Sequence, residues 1–182
     1  KGLDPICVRV NYKSGIVDYP AKVYKRGTGI DLALVKLKAT SDRPGWESDD
    51  LCIPKIMYGD SSDIIEGKEL IYIGYPLGLG IKEKNYPISR NALISQVIPR
   101  REIFLIDGSA SHGNSGSPVF DKKTGRLLGI IESFNPDFIV AFDERDNPVA
   151  RFPYNSGISR VISAKAIKLF VFGVEKRSLK IK

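Results

Sequence analysis

The chain has 182 residues, enough for one substantial core or two small ones, with 42% apolar and 27% charged residues, the balance of an ordinary globular protein. No run approaches the roughly 18 to 20 consecutive apolar residues of a membrane-spanning helix. The formal charge is +7, and residues 151–182 account for all of it, with eight basic side chains against Glu175 alone. Without interleaved exposed aromatics or a nucleic-acid motif, that basic segment reads as a solvated helix face and tail, and a polyanion-binding module stands only as an alternative. Cys7 and Cys52 are too few for a metal site or a disulfide scaffold and read as two buried thiols, with one disulfide left open.

In chain order, Ile6 to Val10 and Ala21 to Lys25 bracket Lys13-Ser14-Gly15 and predict two paired strands. Arg26-Gly27-Thr28-Gly29 turns the chain into a strand at Asp31 to Leu37, where Ala33, Val35 and Leu37 share a face by period two and Asp31 stands at the entrance. A polar loop follows over residues 39–50, then a connector from Leu51 to Ile65. Further strands are predicted at Glu69 to Ile73, Asn91 to Ile98, Ile103 to Ile106, Pro118 to Phe120, Leu127 to Ser133 and Phe138 to Phe142, with Asp121-Lys122-Lys123-Thr124-Gly125 as a hairpin connection. The period changes once. Ser163 can cap a helix that places Ala166, Ile167 and Phe170 on one side and Lys165 and Lys168 elsewhere.

The segment Gly113-Asn114-Ser115-Gly116-Ser117-Pro118 has the character of a nucleophile turn. A serine among small residues can present its hydroxyl while neighbouring backbone N–H groups converge on one point. Such chemistry needs a base. The single histidine is His112, three residues before Ser115, and it reads as a loop histidine and not as that base.

Five segments in order carry a family resemblance. Ser14-Gly15 with Tyr19 to Val23 and then Asp31 to Lys36, Ile73 to Gly80, Ile106 through Pro118, Gly125 to Ile130, and Gly157 to Ala164 resemble the trypsin-like serine proteases, and among them the HtrA (Deg) protease domain. The resemblance implies an all-β fold of two six-stranded antiparallel β-barrels with one C-terminal α-helix. It also implies a division at residues 1–58 and 59–182. Aligning Cys7 to Val10 with the second strand puts the family's histidine at or just before residue 1, so the first barrel is expected to be incomplete in this chain.

The resemblance further implies a serine endopeptidase acting through an acyl-enzyme on peptide or unfolded-protein substrates, with Ser115 as nucleophile and Asp31 as the orienting acid. Gly113, Asn114 and Ser115 would form the oxyanion hole. Ser109 and Ile158 would belong to the specificity pocket, with Ser109 at its floor. An uncharged floor predicts small or medium apolar side chains before the scissile bond. No cofactor or metal is implied. A pseudoprotease that binds peptides or a partner is the alternative, and homo-oligomerisation stays open. Two departures from the family pattern stand out: Ser117 replaces a usual glycine, and residues 134–156 are longer and more charged than a simple hairpin.

Overall fold

The computed structural model describes residues 6–12, 15–38, 53–79 and 86–173. The chain divides into two compact units, residues 1–55 with 168–182 and residues 56–167. The predicted loop at 39–50, the turn residues Lys13 and Ser14, Cys52 and the basic residues beyond 173 lie outside the described residues.

In the first unit, β1 (Ile6–Tyr12), β2 (Gly15–Arg26) and β3 (Ala33–Leu37) form an antiparallel sheet in that order. Val8 pairs with Tyr19 and Val23 with Val35, and a bulge follows at Val23/Lys25. Tyr19, fully buried, and Ala21 anchor this sheet. Lys25 Nζ donates to the carbonyl of Phe170 (3.1 Å) and lies 4.4 Å from the centre of its ring. Cys7 is exposed with a free thiol, which corrects the reading of buried thiols: on β1 it falls on the solvent-facing alternation.

The second unit is a closed six-stranded barrel in the order β4-β5-β6-β9-β8-β7. Its strands are β4 (Glu69–Gly74), β5 (Ile88–Ile98), β6 (Ile103–Asp107), β7 (Pro118–Asp121), β8 (Leu127–Phe142) and β9 (Pro148–Ser163). Period-two alternation sends Leu70 and Tyr72 from β4, Ala92 and Ile94 from β5 and Phe104 and Ile106 from β6 into one core. Val119, Leu128, Ile131 and Val161 complete it. The segment before β4 is tied to the barrel by Arg126, which pairs with Asp63 (2.9 Å) and donates to the carbonyl of Tyr58 (3.2 Å).

The β7–β8 hairpin turns on Asp121, whose Oδ1 accepts from the N–H groups of Lys123 (2.8 Å) and Thr124 (3.2 Å) and whose Oδ2 meets Lys68 Nζ at 3.1 Å. Burial pushes this carboxyl up, but the hydrogen bonds from Lys123, Lys68 and Thr124 outweigh it and bring it down to about 2. Helix α1 (Ala164–Phe172) follows β9 directly. Ser163 Oγ accepts from Ala166 N–H at 3.2 Å, so the expected cap is formed, and Ala166 and Ile167 are buried as expected while Lys165 is exposed.

One expectation about strand boundaries is overturned. The two predicted strands at Leu127 to Ser133 and Phe138 to Phe142 are one 16-residue strand, β8, paired with β9 over its length. Asn135-Pro136 reads as a break in sequence. In the fold a register shift falls between Phe134 and Pro136, and Pro136 pairs with Asn155. The outer halves of β8 and β9 therefore form a two-stranded arm, closed by a turn in which Asp143 accepts from the N–H groups of Arg145 and Asn147.

Candidate active site

Three glycines, Gly74, Gly113 and Gly116, shape the nucleophile loop. Gly113 (φ +92°) and Gly116 (φ +87°) flank the Asn114-Ser115 pair in the left-handed region, which a side-chain-bearing residue enters at a cost. A Cβ on Gly113 would overlap the carbonyl oxygen of Tyr75, and a Cβ on Gly74 would overlap Ser117 Oγ. Ser117, the residue in place of a second glycine, thus finds its room at Gly74 on β4. Its side chain is buried without forcing a positive φ.

The loop is pinned on two sides. Leu77, itself at φ 55°, donates its N–H to the carbonyl of His112 (2.5 Å). On β8, the carbonyl of Ile131 accepts from Gly116 N–H (2.8 Å) and the N–H of Ile131 donates to the carbonyl of Ser117 (2.9 Å). Within the loop, Asn114 N–H donates to Ser111 and Ser117 N–H to Asn114. The N–H groups of Gly113 and Ser115 have no intramolecular acceptor among the described residues. Ser115 itself is exposed. The side chain of Asn114 is fully buried, and neither of its amide atoms has a hydrogen-bond partner among the described residues.

Next to this loop, Gly108 N–H donates to the carbonyl of Gly157, and Asp107 pairs with Ile158 across β6 and β9. Ser159 Oγ donates to the carbonyl of Gly108 (2.7 Å) and accepts from Ala110 N–H (3.2 Å). Ser109 is exposed, its carbonyl held by Arg90 Nη1 at 2.7 Å. Asn155 bridges the same segments: its Nδ2 donates to the carbonyl of Ala110 (2.5 Å) and its Oδ1 accepts from Gly157 N–H (2.9 Å).

A cavity of about 290 Å³ opens where the arm leaves the barrel, lined by Ser111, His112, Phe134, Pro136, Pro153, Tyr154 and Asn155. The imidazole of His112 meets Phe134 edge to face, ring centroids 5.8 Å apart at 88°. Tyr154 donates its hydroxyl to Asp137 Oδ2 at 2.6 Å, which holds that carboxyl below its ordinary range. Ser109 and Ile158 do not line this cavity. Sequence reasoning missed Phe134, Tyr154 and Asn155; the available signal was a pair of aromatics at the two ends of the unusually long 134–156 segment.

Of the expected site residues, Gly113, Asn114 and Ser115 stand in one loop, with Ser109 and Ile158 on the adjoining segments of the same unit. Asp31 belongs to the first unit, exposed, two residues before β3. Among the described residues no cluster of three or more metal-ligating side chains occurs, and no helix is long and apolar enough to cross a membrane.

Over 120 residues the chain is 31% identical to a serine protease HtrA-like protein of Staphylococcus aureus (strain bovine RF122 / ET3-1), covering 60% of this chain and 14% of that protein. It is 26% identical over 132 residues to the magnetosome formation protease MamE of Paramagnetospirillum magneticum (strain ATCC 700264 / AMB-1), covering 71% of this chain and 17% of MamE. The chain therefore spans only about a sixth of the length of these curated relatives. In fold it is similar to the MamO protease domain of Magnetospirillum magneticum, with a TM-score of 0.61 at 19% identity, over 93% of this chain and 76% of that one. The sequence profile of the trypsin-like peptidase domain matches residues 5–130, and the chain belongs to that family.

Proposed function

We propose that the chain is the nucleophile-bearing part of a serine endopeptidase of HtrA type, acting on peptide or unfolded-protein substrates. Ser115 Oγ attacks the peptide carbonyl carbon, and a histidine outside these 182 residues takes the hydroxyl proton. The C–N bond then breaks as that proton passes to the leaving amine, and water hydrolyses the acyl-enzyme. Asp31 orients the histidine. Gly113 and Ser115 receive the oxyanion through their N–H groups, with Asn114 holding the turn.

The observation that carries this reading is the selective use of loop donors. Asn114, Gly116 and Ser117 spend their N–H groups on backbone carbonyls, whereas Gly113 and Ser115 keep theirs unspent on either side of Asn114. His112 is not the base in this reading: its ring packs on Phe134. Ser109 and Ile158 form the specificity pocket in this reading, and the absence of charge on Ser109 supports cleavage after small or medium apolar residues.

A fluorophosphonate probe tests the reading. In protein that includes the upstream histidine, Ser115 is labelled and Ser115→Ala abolishes labelling, while the 182-residue chain reacts slowly or not at all. Rapid labelling of the 182-residue chain would overturn the account of the base. A second reading is a non-hydrolysing peptide-binding domain, which a full-length protein with no histidine upstream of Asp31 would favour. It predicts no labelling in any form of the protein. A polyanion-binding role has less support, because Arg160 pairs with Glu132 (3.0 Å), Lys165 with Glu102 (2.6 Å) and Arg151 stacks on Phe138.

A further inference from the structure

The arm made by the outer halves of β8 and β9 has two faces. Cross-strand partners share a face, so Val140 lies with Arg151 on one, together with Phe138 and Phe142 by alternation, and Ile139 lies with Phe152 on the other. On the first face Phe138, Val140, Pro148, Val149 and Arg151 line a groove of about 530 Å³. Phe142, 59% exposed, continues that face toward the tip, and Val149 is 63% exposed.

Two charges distinguish the groove face. The guanidinium of Arg151 lies 3.6 Å from the centre of the Phe138 ring and has no ion pair among the described residues. Arg151 is exposed, so the outer face of its planar guanidinium is open to a second aromatic ring. At the tip, Asp143-Glu144-Arg145-Asp146 carries three carboxylates against one guanidinium. Asp143 is taken up by the turn, where it accepts from the N–H groups of Arg145 and Asn147, whereas Glu144 is exposed and has no partner among the described residues.

We propose that the arm docks on the arm of a second copy of this chain, groove face on groove face and antiparallel, about a two-fold axis at Val140 and Arg151. The pairing goes beyond the peptidase reading and does not depend on it. Phe138 and Phe142 lie equally far from Val140, so the axis brings Phe142 of each copy onto the guanidinium that covers Phe138 of the other, and the cation is held between two rings. The same axis brings the exposed Glu144 of each copy to Arg151 of the other, joining two charges that are unpaired in the single chain. The carboxyl of Asp137 is held by the Tyr154 hydroxyl (2.6 Å). A lipid surface fits less well, because the tip that would enter it is acidic. The patch is small against the roughly 800 Å² per partner of a stable interface, so the dimer is weak and depends on concentration.

Sedimentation equilibrium of the 182-residue chain, from low to high micromolar concentration, tests the proposal. A monomer–dimer equilibrium is expected. The double variant Phe142→Lys/Val149→Lys should weaken it at least tenfold, and Ile139→Lys, on the other face, should leave it unchanged. Glu144→Lys and Arg151→Glu should each weaken self-association at least tenfold. An equimolar mixture of those two variants should restore it, because both contacts of the mixed dimer then join opposite charges. All five positions are exposed, and far-UV circular dichroism checks that each variant keeps the fold; should the double variant unfold, the mixture decides. A monomer at every concentration overturns the proposal. So does a dimer that keeps its strength in Phe142→Lys/Val149→Lys or loses it in Ile139→Lys, and so does a mixture that associates no better than its components.

Discussion

The two halves of β8 have similar composition and opposite surroundings. Leu127, Leu128 and Ile131 at the root are buried, and Ile131 holds the nucleophile loop by two backbone hydrogen bonds. Phe138 to Phe142 on the arm are as apolar, yet four of the five are exposed. Burial explains the first set, since each buried aliphatic side chain contributes roughly 1.5–3 kcal/mol. It does not explain the second, and an isolated two-stranded ribbon is marginal in water.

The sharpest break in the comparison would come from substitutions of equal chemistry at the two ends. Leu128→Ala should cost about 3 kcal/mol of unfolding free energy by denaturant titration, from lost burial and the cavity left behind, whereas Ile139→Ala should stay within about 0.5 kcal/mol. Equal costs would mean that the arm is packed as tightly as the barrel. Gly113→Ala should cost about 2 kcal/mol, because a Cβ must displace the carbonyl of Tyr75 and occupy φ +92°. In histidine-containing protein it should also abolish labelling of Ser115.

The root carries the stronger pH signature, since the lowered carboxyls of the arm, Asp137 and Asp143, are exposed to solvent. The carboxyl of Asp121 sits at about 2 in the fold, below the ordinary carboxylate value near 3.9. Its stabilisation, about 2 kcal/mol, is present above pH ~4 and is lost as pH falls toward ~2. Asp121→Asn should flatten that stretch of the stability profile, read by urea unfolding at a series of pH values. The smallest effect lies on the arm: Arg151→Ala removes a guanidinium from the face of Phe138 and should cost only about 0.5 kcal/mol.

What was legible in sequence follows the same division. Period-two runs mark β4 to β7 and the root of β8 to within a few residues because their alternation matches real burial, whereas β9 enters only through the resemblance at Gly157 to Ala164; the small-residue turn at Gly113 to Pro118 marks the nucleophile loop. The reason for Gly74 is not legible in sequence, since it depends on Ser117 arriving from the nucleophile loop. β8 reads as two strands, Leu127 to Ser133 and Phe138 to Phe142, because Asn135-Pro136 interrupts the apolar runs, while in the fold the pairing with β9 continues through a register shift at Phe134/Pro136. Cys7 shows the limit of residue-type averages: a thiol is usually buried, but strand register decides the face.

Amide hydrogen exchange along β8 tests most directly the claim that one strand is locked at its root and open along its arm. Amides of Gly129 to Ile131 should exchange only through global opening. Amides of residues 137–142 that face no strand among the described residues should exchange orders of magnitude faster. Arm amides as protected as those of the root would contradict the account.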